Sequence, residues 1–115
     1  MPTNNDNSTH YYSDRMELAV AKELEGHRVA GSGNGAFSGG DVLVGSNLLV
    51  ECKTSIKPVK SFSVKKEWLD KMRKEAFAIN RYYASLCFDF ETGGERYYVM
   101  SERMFKELLK DSNNI

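Results

Sequence analysis

No apolar run in this 115-residue sequence approaches the roughly 20 residues that a helix needs to cross a bilayer. Its start, MPTNNDNSTH, also lacks the apolar core of a secretory signal peptide. We therefore expect a soluble protein that has no membrane partner and is located in the cytoplasm.

Cysteine is scarce as well. Cys52 and Cys87 stand singly in apolar runs, without the CxxC or Cys/His spacing of a zinc site. The sequence thus implies no disulfide framework, and we expect two buried, reduced thiols.

An overall excess of charge is missing too, because 16 Lys and Arg residues balance 16 Asp and Glu residues. The distribution along the chain is uneven. Between Lys53 and Lys74, eight basic residues accompany two acidic ones. Since local potential attracts a polyanion, this stretch could line a phosphate-binding face. A solvated helix face is the alternative interpretation.

The length fits one domain, with residues 1–12 as a flexible, Asn-rich tail and residues 13–115 as the folded part. Ser13 has the character of a helix N-cap, which predicts a helix to about Gly26. The loop GSGNG that follows lacks GK[ST] and leads into a strand, so we expect no nucleotide cofactor.

Two β-hairpins and two further helices complete the predicted order. The first hairpin joins runs 41–44 and 48–53, and the second joins ASLCFDF to RYYVM. Between them, Ser63 is expected to cap a helix from Val64 to about Asn80. A closing helix starts at Ser101, with its apolar residues on one side: Met104, Phe105, Leu108 and Leu109. This order predicts a mixed α/β domain.

The first hairpin carries charges where a buried strand should have none. Side chains alternate along a strand, so Glu51 and Lys53 share one face, and Asp41 begins the neighbouring strand. Burying these charges is costly unless they are paired or metal-bound. A salt bridge to Lys53 is one explanation. The other explanation is that the two carboxylates hold a hard divalent cation. Lys53 would then face the substrate phosphate that this cation binds.

The first predicted helix adds a third acid. On a helical wheel, Glu17 falls within the apolar arc of Met16, Val20 and Leu24, so it should point inward and lie close to Asp41. The other acids of this segment lie at the edge of the arc or opposite to it: Glu23 and Glu25.

With these residues the chain resembles the PD-(D/E)xK nuclease superfamily, and in particular the archaeal-type Holliday-junction resolvases. The resemblance covers roughly residues 13–100. It rests on Glu17, on GGD ending in Asp41, on ECK with Glu51 and Lys53, on the AGSG loop and on the element order. Two features depart from the family, since glycine replaces proline before Asp41 and the chain lacks the overall basicity common in junction-binding proteins.

The resemblance implies a restriction-endonuclease-like fold, with a central mixed β-sheet flanked by helices. It implies that Glu17, Asp41 and Glu51 bind Mg²⁺ or Mn²⁺, helped by the backbone carbonyl of Cys52. Lys53 would orient or activate the attacking water and contact the scissile phosphate. Ser32, in the matching loop, is a candidate phosphate contact, with an ordinary loop serine as the alternative.

The resemblance further implies a symmetric homodimer that cuts DNA and leaves 5′-phosphates. We expect the basic stretch to supply DNA contacts, namely Lys57, Lys60, Lys65 and Lys66. For Lys65, the alternative to a DNA contact is a surface lysine whose stem lies along the helix. The expected function is a metal-dependent endonuclease that resolves four-way junctions. The alternatives are a restriction-like or nicking endonuclease, and a DNA-binding module of the same fold without catalysis.

Overall fold

The computed structural model describes residues 5–29 and 41–112. In this part of the chain, three helices accompany one five-stranded sheet, which confirms the predicted α/β class. The elements are, in chain order, α1 (Asn5–Leu24), β1 (His27–Arg28), β2 (Asp41–Val44), β3 (Leu48–Lys53), α2 (Lys66–Ala78), β4 (Tyr83–Asp89), β5 (Arg96–Val99) and α3 (Glu102–Lys110). None of the helices in these residues is long and apolar enough to cross a membrane.

The sheet is mixed and follows the order of the chain, β1-β2-β3-β4-β5. Strands β3 and β4 pair in parallel, whereas the other three pairs are antiparallel. A parallel pair needs a crossover, and α2 supplies it between β3 and β4. Strand β3 therefore occupies the middle of the sheet.

Helices α1 and α2 cover opposite faces of this sheet. The alternation of side chains along β3 shows the division, because Val50 packs with α1 and Leu49 packs with α2. The α1 core contains Met16, Val20, Ala21, Val42, Val50 and Cys87. The α2 core contains Leu49, Met72, Ala76 and Leu86. Burial on both sides explains why β3 is apolar at consecutive positions.

The first hairpin has the predicted bounds, with β2 and β3 joined by a turn at residues 45–47. Gly45 adopts a φ of 57°, a conformation that glycine reaches without a steric penalty from a Cβ atom. The turn fixes the register of the hairpin, which pairs Val44 with Leu48 and Val42 with Val50.

The N-terminal region differs from the prediction. Helix α1 begins at Asn5, so Ser13 is not its N-cap and residues 5–12 belong to the helix. Extending an existing helix costs less than nucleating one, and polar residues can extend a helix that buries Met16 and Val20. Residues 1–4 lie outside the described residues. The two-residue strand β1 was not predicted.

The two later helices also test the predicted caps. Helix α2 begins at Lys66, because Lys65 rather than Ser63 holds the extended N-cap position. Helix α3 begins as predicted, and the Ser101 hydroxyl accepts a hydrogen bond of 3.1 Å from the Met104 amide. Of the apolar side predicted for α3, however, only Met104 is buried, whereas Phe105 and Leu108 are exposed.

Helix α3 should therefore depend on a single buried residue. Met104→Ala is expected to lower the free energy of unfolding by about 2 kcal/mol, since it removes a buried methionine and leaves a cavity. Phe105→Ala, the matched control, should change it by no more than about 0.5 kcal/mol because its ring is half exposed. Urea unfolding curves measure both values, and equal losses would contradict this account of α3.

Candidate active site

Glu51 and Lys53 lie on the α2 face of the central strand. Leu49 packs against α2, and alternation places Glu51 and Lys53 on the same side. Glu51 is 9% exposed, and its Oε2 atom lies 3.2 Å from the Lys53 ammonium. The same ammonium lies 4.6 Å from the centroid of the Trp68 ring in α2. The predicted shared face is thus confirmed, and a cation–π contact adds to the ion pair.

The backbone of Asp41 lies beside the Glu51–Lys53 pair. The antiparallel register of β2 and β3 places Asp41 directly opposite Glu51. Cys52, whose carbonyl is a predicted metal ligand, lies between Glu51 and Lys53 in β3. The structure therefore gathers the D…ExK positions at one end of two paired central strands.

Glu17 is buried as predicted, but it has a partner that the sequence analysis missed. Only 4% of Glu17 is exposed. The Arg28 guanidinium donates to its Oε1 atom from Nε at 3.0 Å and from Nη2 at 2.7 Å. Nη2 also donates to Asp14, at 2.7 Å. Glu23 and Glu25 are exposed, which agrees with the predicted helical register.

Glu17 and the Glu51–Lys53 pair lie on different faces of the sheet. Glu17 belongs to the helix that packs on Val42 and Val50, and its partner Arg28 is paired in register with Val42. Burial raises the pKa of Glu17, and the hydrogen bonds and charge of Arg28 oppose that shift. Arg28 thus provides, without a metal, part of the charge compensation that a buried carboxylate needs.

The donor set at the end of β2 and β3 fits a hard divalent cation in part. Among the side chains that the structure describes, no three His, Cys, Asp or Glu residues form a cluster that could hold a metal ion. The Lys53 ammonium lies 3.2 Å from Glu51 Oε2, so this carboxylate already has one partner in the protein. Asp41 and Glu51, with the Cys52 carbonyl, are the positions that would hold the ion. A third ligand from Glu17 stays a prediction.

The predicted DNA-binding lysines have different surroundings. Lys57 and Lys60 are exposed in the segment after β3. Lys65 lies 5.5 Å from the Trp68 ring centroid, so it and Lys53 meet at this side chain. Lys66 forms an exposed ion pair of 2.8 Å with Asp70. Ser32 lies outside the described residues.

Comparison with known proteins gave no match. No family model, no curated protein and no solved structure matches the chain. The functional interpretation therefore depends on the residues and contacts of this chain.

Asp89 is a buried acid that the sequence analysis did not single out. It is 2% exposed at the end of β4, and it accepts hydrogen bonds of 3.0 Å from the Thr54 hydroxyl and the Ser55 amide. These are the first two residues after Lys53. Asp89 thus fastens the end of β3 to β4 and fixes the backbone next to the candidate site. The run CFDF gives no local signal for this role, because the partners of Asp89 lie 34 and 35 residues away in the sequence.

A second missed acid lies on α2. Glu75 is 6% exposed, and its Oε1 atom has no hydrogen-bond partner among the described residues. Its Oε2 atom is 3.8 Å from the Lys71 ammonium. Glu75 lies on the buried side of α2, next to Ala76, which packs on the sheet face that carries Glu51. Such a poorly compensated carboxylate is costly to bury.

The two thiols lie on the opposite face. Cys52 and Cys87 are register partners on β3 and β4, and neither forms a disulfide. Cys87 is buried as predicted, whereas Cys52 is partly exposed. A hydrogen bond with Cys52 lowers the pKa of the Cys87 thiol, and burial opposes that shift.

A cavity in the described part of the chain lies away from these residues. It has a volume of about 920 Å³ and is bounded by α2, β4, the end of β5 and α3. None of the predicted catalytic residues lines it. At the candidate site, the Lys53 side chain is one-third exposed whereas that of Glu51 is largely buried.

The Glu17–Arg28 pair leads to a prediction about stability in metal-free buffer. Arg28→Ala should lower the free energy of unfolding at about pH 7 by about 1–3 kcal/mol, because it leaves a buried acceptor unsatisfied. Adding Glu17→Gln should recover part of this loss, since an amide is cheaper to bury than a carboxylate. Urea unfolding of the two single variants and the double variant measures the coupling.

The pH dependence of Glu17→Gln provides the second part of that test. The raised pKa of Glu17 means that the folded state keeps this proton at pH values where the unfolded chain has lost it. The wild type therefore loses stability relative to Glu17→Gln as the pH rises above the ordinary value of 4.5. Glu23→Gln, at an exposed position, is the control. A constant difference between wild type and Glu17→Gln from about pH 4 to about pH 7 would contradict the raised pKa.

Proposed function

We propose that this protein is a metal-dependent DNA endonuclease with a restriction-endonuclease-like fold. One observation carries the proposal: the buried Glu51 lies opposite Asp41 and forms an ion pair with Lys53, two residues further along the same strand. Two acids and a lysine at such positions suit phosphodiester hydrolysis. The mixed sheet between α1 and α2 agrees with the proposed fold.

The roles of the residues follow from their chemistry. Asp41, Glu51 and the Cys52 carbonyl would bind Mg²⁺ or Mn²⁺, which when bound activates water and neutralises charge on the phosphate. Lys53 donates hydrogen bonds to the scissile phosphate or to the attacking water. Its ion pair with Glu51 and its contact with Trp68 restrict the ammonium to this place. Glu17 stays a proposed further ligand, but to join this set it would have to leave Arg28 and reach the site from the opposite face of the sheet.

The proposed substrate is branched DNA, and the proposed assembly is a homodimer that makes paired cuts at a four-way junction. The exposed lysines Lys57, Lys60 and Lys65 support a DNA partner. Phe77 and Tyr82 offer exposed aromatic surface for a second copy. Acting on intracellular DNA, the protein would work in the cytoplasm.

One observation favours a second candidate, a DNA-binding module without catalysis. Lys53 forms an ion pair with Glu51, and Arg28 forms one with Glu17, so protein side chains supply charge compensation for two of the buried acids. In that case the ion pairs hold the fold together and the basic surface alone meets DNA. Cleavage assays separate the two candidates, because only an endonuclease cuts in a metal-dependent way.

We predict that Asp41→Asn, Glu51→Gln and Lys53→Ala each lower the cleavage rate by at least about 100-fold, since each removes a metal ligand or phosphate contact. Circular dichroism should stay close to wild type for all three variants, and DNA affinity should do so for the two carboxylate variants. Glu23→Gln, which changes an exposed acid, is the matched control and should cut normally. Cleavage is measured over a Mg²⁺ titration, with Glu17→Gln included to test the third acid. Full activity of either β-strand carboxylate variant at saturating Mg²⁺ would contradict the proposal.

The substrate preference forms a separate prediction. We expect the wild type to cut a four-way junction faster than a linear duplex of the same sequence, because the resemblance points to junction resolvases. Gel assays with matched four-way, forked, linear and single-stranded DNA measure the rates. Equal rates on the junction and the linear duplex would favour a restriction-like or nicking endonuclease.

A further inference from the structure

Next to Lys53, the structure holds a continuous cluster of aromatic rings. Neighbouring ring centroids are 4.4–5.9 Å apart, within the range of direct ring contact. The aromatic cluster consists of Phe62, Trp68, Phe88, Phe90 and Tyr97.

The sheet register explains why this aromatic cluster adjoins the candidate site. Lys53 pairs with Phe88 on β4, and Phe88 pairs with Tyr97 on β5. Directly paired residues share a face, so a row runs from the lysine across two aromatic side chains. Trp68 contacts the start of this row, since its ring centroid lies 4.6 Å from the Lys53 ammonium.

Positive charge surrounds the aromatic cluster on the side of α2. Lys65 reaches the Trp68 ring at 5.5 Å, and the exposed Lys57 and Lys60 lie in the segment that connects β3 to α2. The Val59 amide holds this segment against β4 by donating to the Phe90 carbonyl at 2.9 Å. This hydrogen bond keeps the backbone between Lys57 and Lys60 next to the end of β4.

The acids near the aromatic cluster define its boundary. Glu91 and Glu95 are exposed at the turn between β4 and β5, and the Tyr97 hydroxyl lies 3.5 Å from Glu95. These carboxylates disfavour a phosphate backbone at the turn. A polyanion would therefore pass the rings on the side of Lys65 and Lys53.

Packing alone accounts for only part of this arrangement. Phe62 stacks on Phe88 and covers the end of the sheet, which is an ordinary core contact. Tyr97 is different, because it is 42% exposed on the edge strand β5 and still belongs to the aromatic cluster. Exposed aromatic surface beside several lysines is the combination that binds unpaired bases and their phosphates.

We propose that the aromatic cluster and its lysines bind a single-stranded DNA segment, with a base stacked on Tyr97 and a phosphate near Lys53. This inference rests on the proposed function and adds to its branched substrate a single-stranded segment next to the branch. Stacking needs an unpaired base face, so fully paired duplex gains nothing from Tyr97. The aromatic cluster thus acts in recognition and leaves the bond-breaking step to the candidate active site.

Binding without metal provides the test. The full-length protein, in buffer with EDTA, is titrated with an oligothymidine of about 12 nucleotides and with a duplex of equal length. Trp68, the one tryptophan in the chain, reports binding next to Lys53 through its fluorescence. We expect the single strand to change this emission and Tyr97→Ala to weaken single-strand affinity about tenfold, with duplex affinity changed less than about twofold.

Tyr11→Ala is the matched control, because Tyr11 is an exposed tyrosine on α1, at 52% against 42% for Tyr97, and lies away from the aromatic cluster. It should bind both DNAs like the wild type. Both substitutions are at exposed positions, so we expect both variants to fold. Circular dichroism checks this. An unchanged single-strand affinity of Tyr97→Ala, an equal loss for both DNAs, or an unchanged Trp68 emission would overturn the proposal.

The cleavage assay distinguishes a failure of this inference from a failure of the proposed function. Mg²⁺-dependent cutting without a Tyr97 effect on binding would retain the endonuclease and reject the stacking surface. A Tyr97-dependent single-strand affinity without any cutting would retain the surface and support the non-catalytic DNA-binding module.

Discussion

The central position of β3 is the constraint on which the rest of the structure depends. The strand is hydrogen-bonded to β2 on one edge and to β4 on the other, and helices cover both of its faces. Any charge on it must find compensation from the few groups within reach. Glu51 and Lys53 satisfy this condition by sharing a face and contacting one another. Alternation of side chains along a strand, rather than any special fold feature, brings them together.

The neighbouring elements determine how accessible that pair is. Helix α2 starts at Lys66, so it covers the middle of β3 and leaves the Lys53 end bordered by the first turn of the helix, where Trp68 lies. Asp89 holds the backbone after Lys53 through Thr54 and Ser55. The acid is thus deeply buried and the lysine is one-third exposed, which suits a group that must meet a phosphate from solution.

Sequence patterns predicted the features that depend on neighbouring residues, such as strand bounds and burial. They did not predict the contacts between residues that are distant in the sequence. The bounds of β2 and β3 follow from two apolar runs around a turn, and the burial of Glu17 follows from the helical wheel. The Arg28 partner of Glu17 could not be predicted, because it lies 11 residues away on a two-residue strand that shows no periodicity. The early start of α1 was missed since a polar helix surface and a polar tail have the same composition. Asp89 lay within a run read as an ordinary strand, and its role depends on Thr54 across the sheet.

Helix α3 is attached to the body in a different way from α1 and α2. It buries Met104 alone and is otherwise held by polar contacts such as those of Arg103 with Tyr82 and of Glu107 with Tyr83. Cooperative units of a protein open at different free energies, and sparsely buried elements open first. We therefore expect states in which α3 is detached while the five-stranded sheet is intact, and backbone amides of α3 that exchange with solvent deuterium sooner than those of β3.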